Sequence, residues 1–289
     1  MFSNLFHEMN DMGDQKYFEI FKRLKPLLIE KIHTFLDARM LSNSGRPITT
    51  DFNKFLDALF FIVESGSQIR YVKDAFGIPK STFYRYFKII SDHHILKNIY
   101  EDVLRTQNES IPNTPLITDT FTVKSMRGSK GLGRSATDRG RKGLKVSLIC
   151  DTKRVVRAVH IGKANTHDTK LLLDTIDQIE PTIEPNQIVT CLCDSGYVGK
   201  ELRETCLEKR IRLVVKPRRT RKRGKMTHVL LKTDAQLLRE KRNQIELLNG
   251  HIRRFRSLMI KWVQCISTYE CFLYVALLSI TCYQLFVKH

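Results

Sequence analysis

Apolar residues return at helical spacing from Lys16 to Met40, at Phe18, Phe21, Leu24, Leu27, Leu28, Ile32, Phe35 and Leu36. That stripe is the mark of an amphipathic helix, and Pro26 inside it predicts a kink or a split. Leu41 to Pro47 has the composition of a loop. Thr50-Asp51 predicts a second helix start, with Phe52, Phe55, Leu56, Leu59, Phe60 and Val63 on one face and Ser65-Gly66-Ser67 as its end. Ile69 to Ile90 reads as a helix-turn-helix. Ile69, Val72 and Ala75 mark the first helix, Gly77 the tight turn, Ile78 a core plug, and Pro79-Lys80-Ser81 the start of the second helix. Phe83, Tyr86, Phe87 and Ile90 then face inward, and Thr82, Arg85 and Lys88 are left outside with part of Tyr84. Such a face suits a major groove, with cations for phosphates and polar groups for base edges. An ordinary helical hairpin shares the pattern. Ile95 to Leu104 predicts one more short helix.

The pattern changes at Gln107 to Pro115, which reads as a domain boundary. Helices precede it and strands follow. Leu116 to Val123 is rich in β-branched residues and predicts a strand. Ser125 to Gly143 is a glycine-rich loop suited to phosphate contacts, carrying Arg127, Lys130, Arg134, Arg139, Arg141 and Lys142 against a single acid, Asp138. A merely solvated loop is the plainer alternative. Leu144–Cys150 and Val155–Ile161 predict a hairpin closed by Asp151 to Arg154. A helix follows from Asn165, with Thr166 or Asp168 near its cap and Leu171, Leu172, Leu173 and Ile176 within it. Ile188 to Cys193 is a fourth strand, ending abruptly in Asp194-Ser195-Gly196-Tyr197, and a helix through Leu202 and Leu207 comes next. Ile211 to Val215 is a fifth strand, and Lys216 to Lys225 is a basic run. Gln236 to Arg256 predicts a long helix bearing Glu246. Cys271 to Val287 is almost wholly apolar and reads as a helix buried against a sheet rather than a membrane anchor.

Composition narrows the partners. With 49 Lys+Arg against 30 Asp+Glu the formal charge is +19, and most of that excess must lie on the surface, where it attracts polyanions, nucleic acid first. Seven cysteines in no zinc-like spacing suggest a reducing compartment; Cys191 and Cys193, flanking Leu192 in a strand, read as small core residues. Met1 to Glu8 lacks the pattern of a secretory signal.

The order after residue 115 is strand, strand, strand, helix, strand, helix, strand, helix, helix. This is the element order of the RNase H fold: an α/β architecture with a five-stranded mixed sheet flanked by helices, here preceded by an all-α region. In it the first and fourth strands are neighbours, so Asp119 and Asp194 would meet at one sheet edge, with a glutamate from a later helix above them. Asp194 also fits a helix cap. Three convergent carboxylates repel one another unless cations are present, and hard divalent ions prefer such oxygen ligands. Glu246 is the preferred third member; Glu240 lies on nearly the opposite helical face.

These residues resemble the DDE transposases of bacterial insertion sequences, most closely the insertion-sequence 5 group. The resemblance rests on Asp119, on Asp194-Ser195-Gly196-Tyr197 (the group usually has Asp-Lys-any-Tyr), on Gly133-Arg134-Ser135, Gly143 to Val146 and His167-Asp168. It also rests on Arg242, Glu246 and Arg253, set out as in the signature Tyr, two residues, Arg, three residues, Glu, six residues, Lys; Arg239 stands where that signature has Tyr. The resemblance implies a helical DNA-binding region over residues 1–110, with the helix-turn-helix at about 69–90, and an RNase-H-like catalytic domain over 115–289. It implies Asp119, Asp194 and Glu246 as catalytic ligands of two Mg²⁺ or Mn²⁺ ions. Arg134, Lys145, Arg242 and Arg253 would contact DNA phosphates, in addition to Thr82, Arg85 and Lys88. The implied activity is cleavage at element ends and joining of the freed 3′ hydroxyls to target DNA, by a homodimer without a membrane. The setting would be a bacterial cytoplasm, or a nucleus in a eukaryotic host. A transposase-derived DNA-binding protein without catalysis, and a metal-dependent nuclease of the same fold, are the rival readings. His167 fits a place beside the metals, a cap or a core position.

Overall fold

Lys16–Met40 forms one uninterrupted helix, α1, with Pro26 inside it; its buried stripe of Ile20, Phe21, Leu24, Leu28 and Ile32 continues past the proline. The computed structural model describes residues 16–40, 50–105, 114–127, 131–136, 138–218 and 228–287. The N-terminal residues 1–15, the loop at 41–47, most of the boundary at 107–115, Lys130 and most of the basic run at 216–225 lie outside the described residues.

Two units divide the chain. One comprises residues 1–107 with 252–289, the other residues 108–251. The first division, after residue 107, falls at the boundary read at Gln107 to Pro115, and the segment from residue 252 groups with the N-terminal residues.

The helical unit contains α1, α2 (Phe52–Ser65), a 3₁₀ turn at Ile69–Tyr71, α3 (Val72–Phe76), α4 (Lys80–Asp92), α5 (Ile95–Arg105) and the C-terminal helix Ile266–Phe286. Asp51 caps α2, its Oδ1 accepting from the amides of Asn53 and Lys54. Gly66 ends that helix in the left-handed conformation, at φ 73°. The predicted first helix of the helix-turn-helix is only the 3₁₀ turn and the five-residue α3, and Ala75 is exposed rather than inward. Gly77, at φ 70°, makes the turn, and α4 buries Phe83, Tyr86, Phe87 and Ile90 as predicted. The C-terminal helix is long and apolar enough to cross a membrane, but 78% of its most apolar window is buried. It packs on α1, α2, α4 and α5, with Phe272 stacked on Phe87 and Tyr100 Oη 3.0 Å from Thr281 Oγ1. Its expected neighbour was a sheet. A helix apolar on every side needs partners all round, and a cluster of helices supplies them.

In the second unit β1 (Leu116–Ser125), β2 (Gly133–Arg134), β3 (Lys142–Cys150), β4 (Val156–Lys163), β5 (Val189–Cys193) and β6 (Ile211–Val215) form one mixed sheet. The order is β2-β3-β1-β5-β6, with β4 also on β3. β3 lies antiparallel to β1 and β4, whereas β1, β5 and β6 run parallel. The sheet thus exceeds the five strands expected, one addition being Gly133-Arg134 inside the basic loop, which pairs with Lys142-Gly143. Gly133 has a packing reason to lack a side chain: a Cβ there would come within 2.0 Å of Asn165 Oδ1. The β3–β4 turn is fastened by Asp151, whose carboxylate accepts from the amides of Lys153 and Val155 and pairs with Arg157 at 2.8 Å.

Strand alternation assigns the sheet's two faces. Leu116, Cys191, Cys193, Ile211 and Leu213 share a core with Leu172 and Ile176 of α6 (Asp168–Ile179) and Cys206 of α7 (Lys200–Glu208). Cys191 and Cys193 are buried free thiols of that core, as predicted. Ile117, Asp119, Leu192 and Asp194 belong to the other face. There α8 (Lys232–Lys241) and α9 (Asn243–Arg253) replace the single long helix expected, separated at Arg242.

Candidate active site

The register of the two central strands brings the aspartates together. Ile117 of β1 pairs with Leu192 of β5 in parallel. Two residues beyond each partner stand Asp119 and Asp194, on one face and at one height. Neighbouring strands are about 4.8 Å apart, and the two carboxyls sense each other electrostatically. Burial pushes the Asp119 carboxyl above the ordinary aspartate range, and the Asp194 charge adds to the rise; the Thr120 amide, Arg242 and Asn249 oppose it.

Both roles weighed for Asp194 are compatible with its position. Its Oδ1 accepts from the amide of Ser195 at 2.7 Å, capping the 3₁₀ turn Ser195–Tyr197. Its Oδ2 lies 3.8 Å from Arg242 Nη2. The same guanidinium donates through Nη1 to Glu246 Oε1 at 3.0 Å, four residues along the helix. One cation therefore bridges the strand-end aspartate and the helical glutamate. Glu240 instead accepts from Gln236 at 2.7 Å.

Two anchors set the bridging helices in place. Asp234, buried in the first turn of α8, accepts both Arg212 nitrogens, at 2.9 and 3.0 Å, which ties α8 to β6. Arg154, held at φ 67° in the β3–β4 turn, donates to Gln244 of α9 at 3.1 Å. Ile245, Leu248, Asn249 and Ile252 form the buried stripe of α9. Asn249 is its polar member, and its Nδ2 donates to Asp119 Oδ2 at 3.0 Å. Sequence reasoning missed Asn249. Its signal was a lone amide at a core position three residues after Glu246.

Lys145 stands opposite Thr122, on the sheet face away from Asp119. It is half-buried and bound to Asp168 Oδ1 at 2.8 Å and to the Thr166 carbonyl. His167 is the N-cap of α6, its Nδ1 accepting from the Thr169 amide, so the cap belongs to neither Thr166 nor Asp168. Arg134 is exposed on β2 and Arg253 is exposed at the end of α9. On α4, Thr82 is half-buried, Arg85 packs over the Tyr86 ring, and Lys88 pairs with Asp92.

Among the described residues no group of three or more His, Cys, Asp or Glu is gathered closely enough to hold a metal. The pair Asp119 and Asp194 still offers hard oxygens that suit Mg²⁺ or Mn²⁺. The Arg242 guanidinium supplies positive charge where Asp194 and Glu246 face one another. The donor chemistry thus fits a divalent ion, with Arg242 as the competing cation.

A mixed sheet with one aspartate inside its central strand and another just past the end of the parallel neighbour defines a class of α/β domain that brings carboxylates together on one face. The sequence profile of the transposase DDE domain matches residues 112–279, more than half of the chain, and the protein belongs to that family. No curated protein is significantly similar to it in sequence. Among solved structures it is similar to the piggyBac transposase in its synaptic complex with hairpin DNA, at 10% identity and a TM-score of 0.50, over 96% of this chain and 76% of that one. The Mos1 transposase in a paired-end complex with the left transposon end gives a TM-score of 0.32 at 12% identity, over 91% and 96% of the two chains. The piggyBac likeness is one of fold; that to Mos1 adds no argument.

Proposed function

We propose that this protein is a DNA transposase of the insertion-sequence 5 type, whose chemistry is carried by Asp119, Asp194 and Glu246. The observation that carries the reading is the parallel register that puts Asp119 beside Asp194, with Arg242 reaching from Asp194 to Glu246. The spacing of Arg242, Glu246 and Arg253 supports the group assignment. The order β4-β3-β1-β5-β6, with its antiparallel first half and parallel second half, supports an RNase-H-like reading of the catalytic domain from residue 115.

Asp119, Asp194 and Glu246 would hold two Mg²⁺ ions. Such ions activate an attacking oxygen and stabilise the leaving oxygen in phosphoryl transfer. The chain's own groups position the DNA. With the carboxylates held by cations, Arg242 would be free to pair with a phosphate, two of whose oxygens suit its fork. Thr82, Arg85 and Lys88 present a helix-turn-helix surface to the terminal inverted repeats, while exposed Arg134 and Arg253 add phosphate contacts that fix register without reading sequence. Lys145 serves the scaffold through Asp168, so its loss weakens α6 packing more than DNA affinity. A reaction at two element ends calls for a homodimer on DNA, in bacterial cytoplasm or, in a eukaryotic host, the nucleus.

The test mixes purified full-length protein, Mg²⁺ and labelled DNA taken from the sequence flanking its gene. Nicking at a repeat end followed by strand joining supports the reading. Nicking without joining identifies a nuclease, and binding with neither step identifies a DNA-binding protein that has lost its chemistry.

A further inference from the structure

Asn249 does something in this fold that helix packing does not require. It sits in the buried stripe of α9 and is 7% exposed. Its neighbours in that stripe, Ile245, Leu248 and Ile252, are aliphatic, and an aliphatic side chain would fill the position without bringing a polar group inside. Its Nδ2 donates to Asp119 Oδ2 at 3.0 Å, joining residues 130 apart in sequence. A carboxylate only accepts hydrogen bonds, so the amide nitrogen must face Asp119 and the amide oxygen is turned away. That Oδ1 is buried and makes no hydrogen bond among the described residues. Buried polar atoms are nearly always paired, and a water or an ion is one of the partners that completes the exceptions.

We propose that Asn249 is a further member of the cation site. Its nitrogen fixes one oxygen of Asp119, leaving the other free for an ion, and its Oδ1 offers the ion or an ion-bound water one more hard oxygen. The inference rests on the proposed reading of Asp119 as a ligand. Hydrogen bonds from the surrounding shell orient metal-binding carboxylates and are worth about 10–100-fold in affinity. Asn249 also follows Glu246 by three residues on α9, so the helix that carries the glutamate brings the amide to the same face of the sheet.

The experiment titrates the full-length protein with Mn²⁺ alone, free of DNA. Free ion is read by electron paramagnetic resonance, and folding is checked by circular dichroism melts without metal. Wild type is compared with Asp119→Asn, Asn249→Leu and Asn249→Asp. The expected result is that Asn249→Leu weakens Mn²⁺ binding about 10–100-fold, whereas Asn249→Asp, which keeps an oxygen at the site and exchanges the lost donor for a negative charge that attracts the ion, binds as tightly as wild type or more so. A folded Asn249→Leu protein with wild-type affinity overturns the inference. So does an Asn249→Asp protein that has lost Mn²⁺ about tenfold or more; this variant alone decides the matter if Asn249→Leu does not fold. If wild type fails to bind Mn²⁺, or Asp119→Asn binds it unchanged, the cation site itself falls and this inference with it. Loss in Asp119→Asn with full binding in Asn249→Leu removes Asn249 only.

Discussion

Arg242 and Asp194 approach to 3.8 Å at the end of β5, and the same guanidinium is hydrogen-bonded to Glu246. On the proposed reading, the protein's own cation occupies the position that a divalent ion would contest. Arg242→Gln should act in two directions. Mn²⁺ affinity rises about fivefold, the roughly 1 kcal/mol scale of a partly exposed ion pair, because a competing positive charge is gone. DNA affinity falls, and the slope of its salt dependence drops by about one unit, as expected for one lost phosphate contact. Calorimetry with Mn²⁺ and DNA-binding isotherms across a salt series measure the two effects separately.

Asp119 gives the site a pH dependence of defined sign. Burial, with Asp194 beside it, raises its carboxyl above the ordinary range. A cation binds the ionised form, so Mn²⁺ affinity climbs as pH rises. On acidification the loss begins at a higher pH than for an unperturbed aspartate. The same shift bears on stability. A folded protein that holds this proton more tightly than the unfolded chain loses stability as pH rises from the unfolded pKa through the folded one. Asp119→Asn should therefore melt higher than wild type at neutral pH without metal, and the difference should vanish in acid. Melting curves from acid to neutral pH check the sign.

The β3–β4 turn makes a purely structural prediction. Asp151 is 1% exposed and Arg157 nearly as buried. Asp151→Ala leaves a buried guanidinium without its carboxylate and also removes two turn hydrogen bonds. The expected cost is about 3–5 kcal/mol, seen as a lower urea midpoint with an unchanged slope.

A smaller loss is expected at Asp51. Asp51→Ala removes the acceptor for two amides at the start of α2 and should cost about 0.5–2 kcal/mol. Urea unfolding of this single variant measures it.

Periodicity carried most of the secondary structure. The amphipathic stripes of α1, α2 and α4 and the β-branched runs of β1, β5 and β6 stand where their patterns predicted. Asp194 was legible because it ends an apolar strand pattern in a carboxylate, and Asp119 because a carboxylate inside a β-branched strand matched the family resemblance. What the pattern left hidden depended on long-range choices. The C-terminal helix is apolar on every side, so no face pointed to the helices that wrap it. Gly133-Arg134 carries too little signal to reveal a two-residue strand. The break at Arg242 interrupts a continuous helical pattern and was invisible for that reason. Asn249 reads as a surface residue until its neighbours in the α9 stripe are seen to be buried.

The central claim is that Asp119, Asp194 and Glu246 share one cation site, and Fe²⁺ mapping tests it most directly. Fe²⁺ bound in place of Mg²⁺, with ascorbate and peroxide, generates radicals that cut nearby backbone. Protein fragments sized by mass spectrometry should end near residues 119, 194 and 246, and excess Mg²⁺ or Asp194→Ala should abolish all three cuts together. Cuts elsewhere, or an unchanged pattern in folded Asp194→Ala protein, would contradict the account.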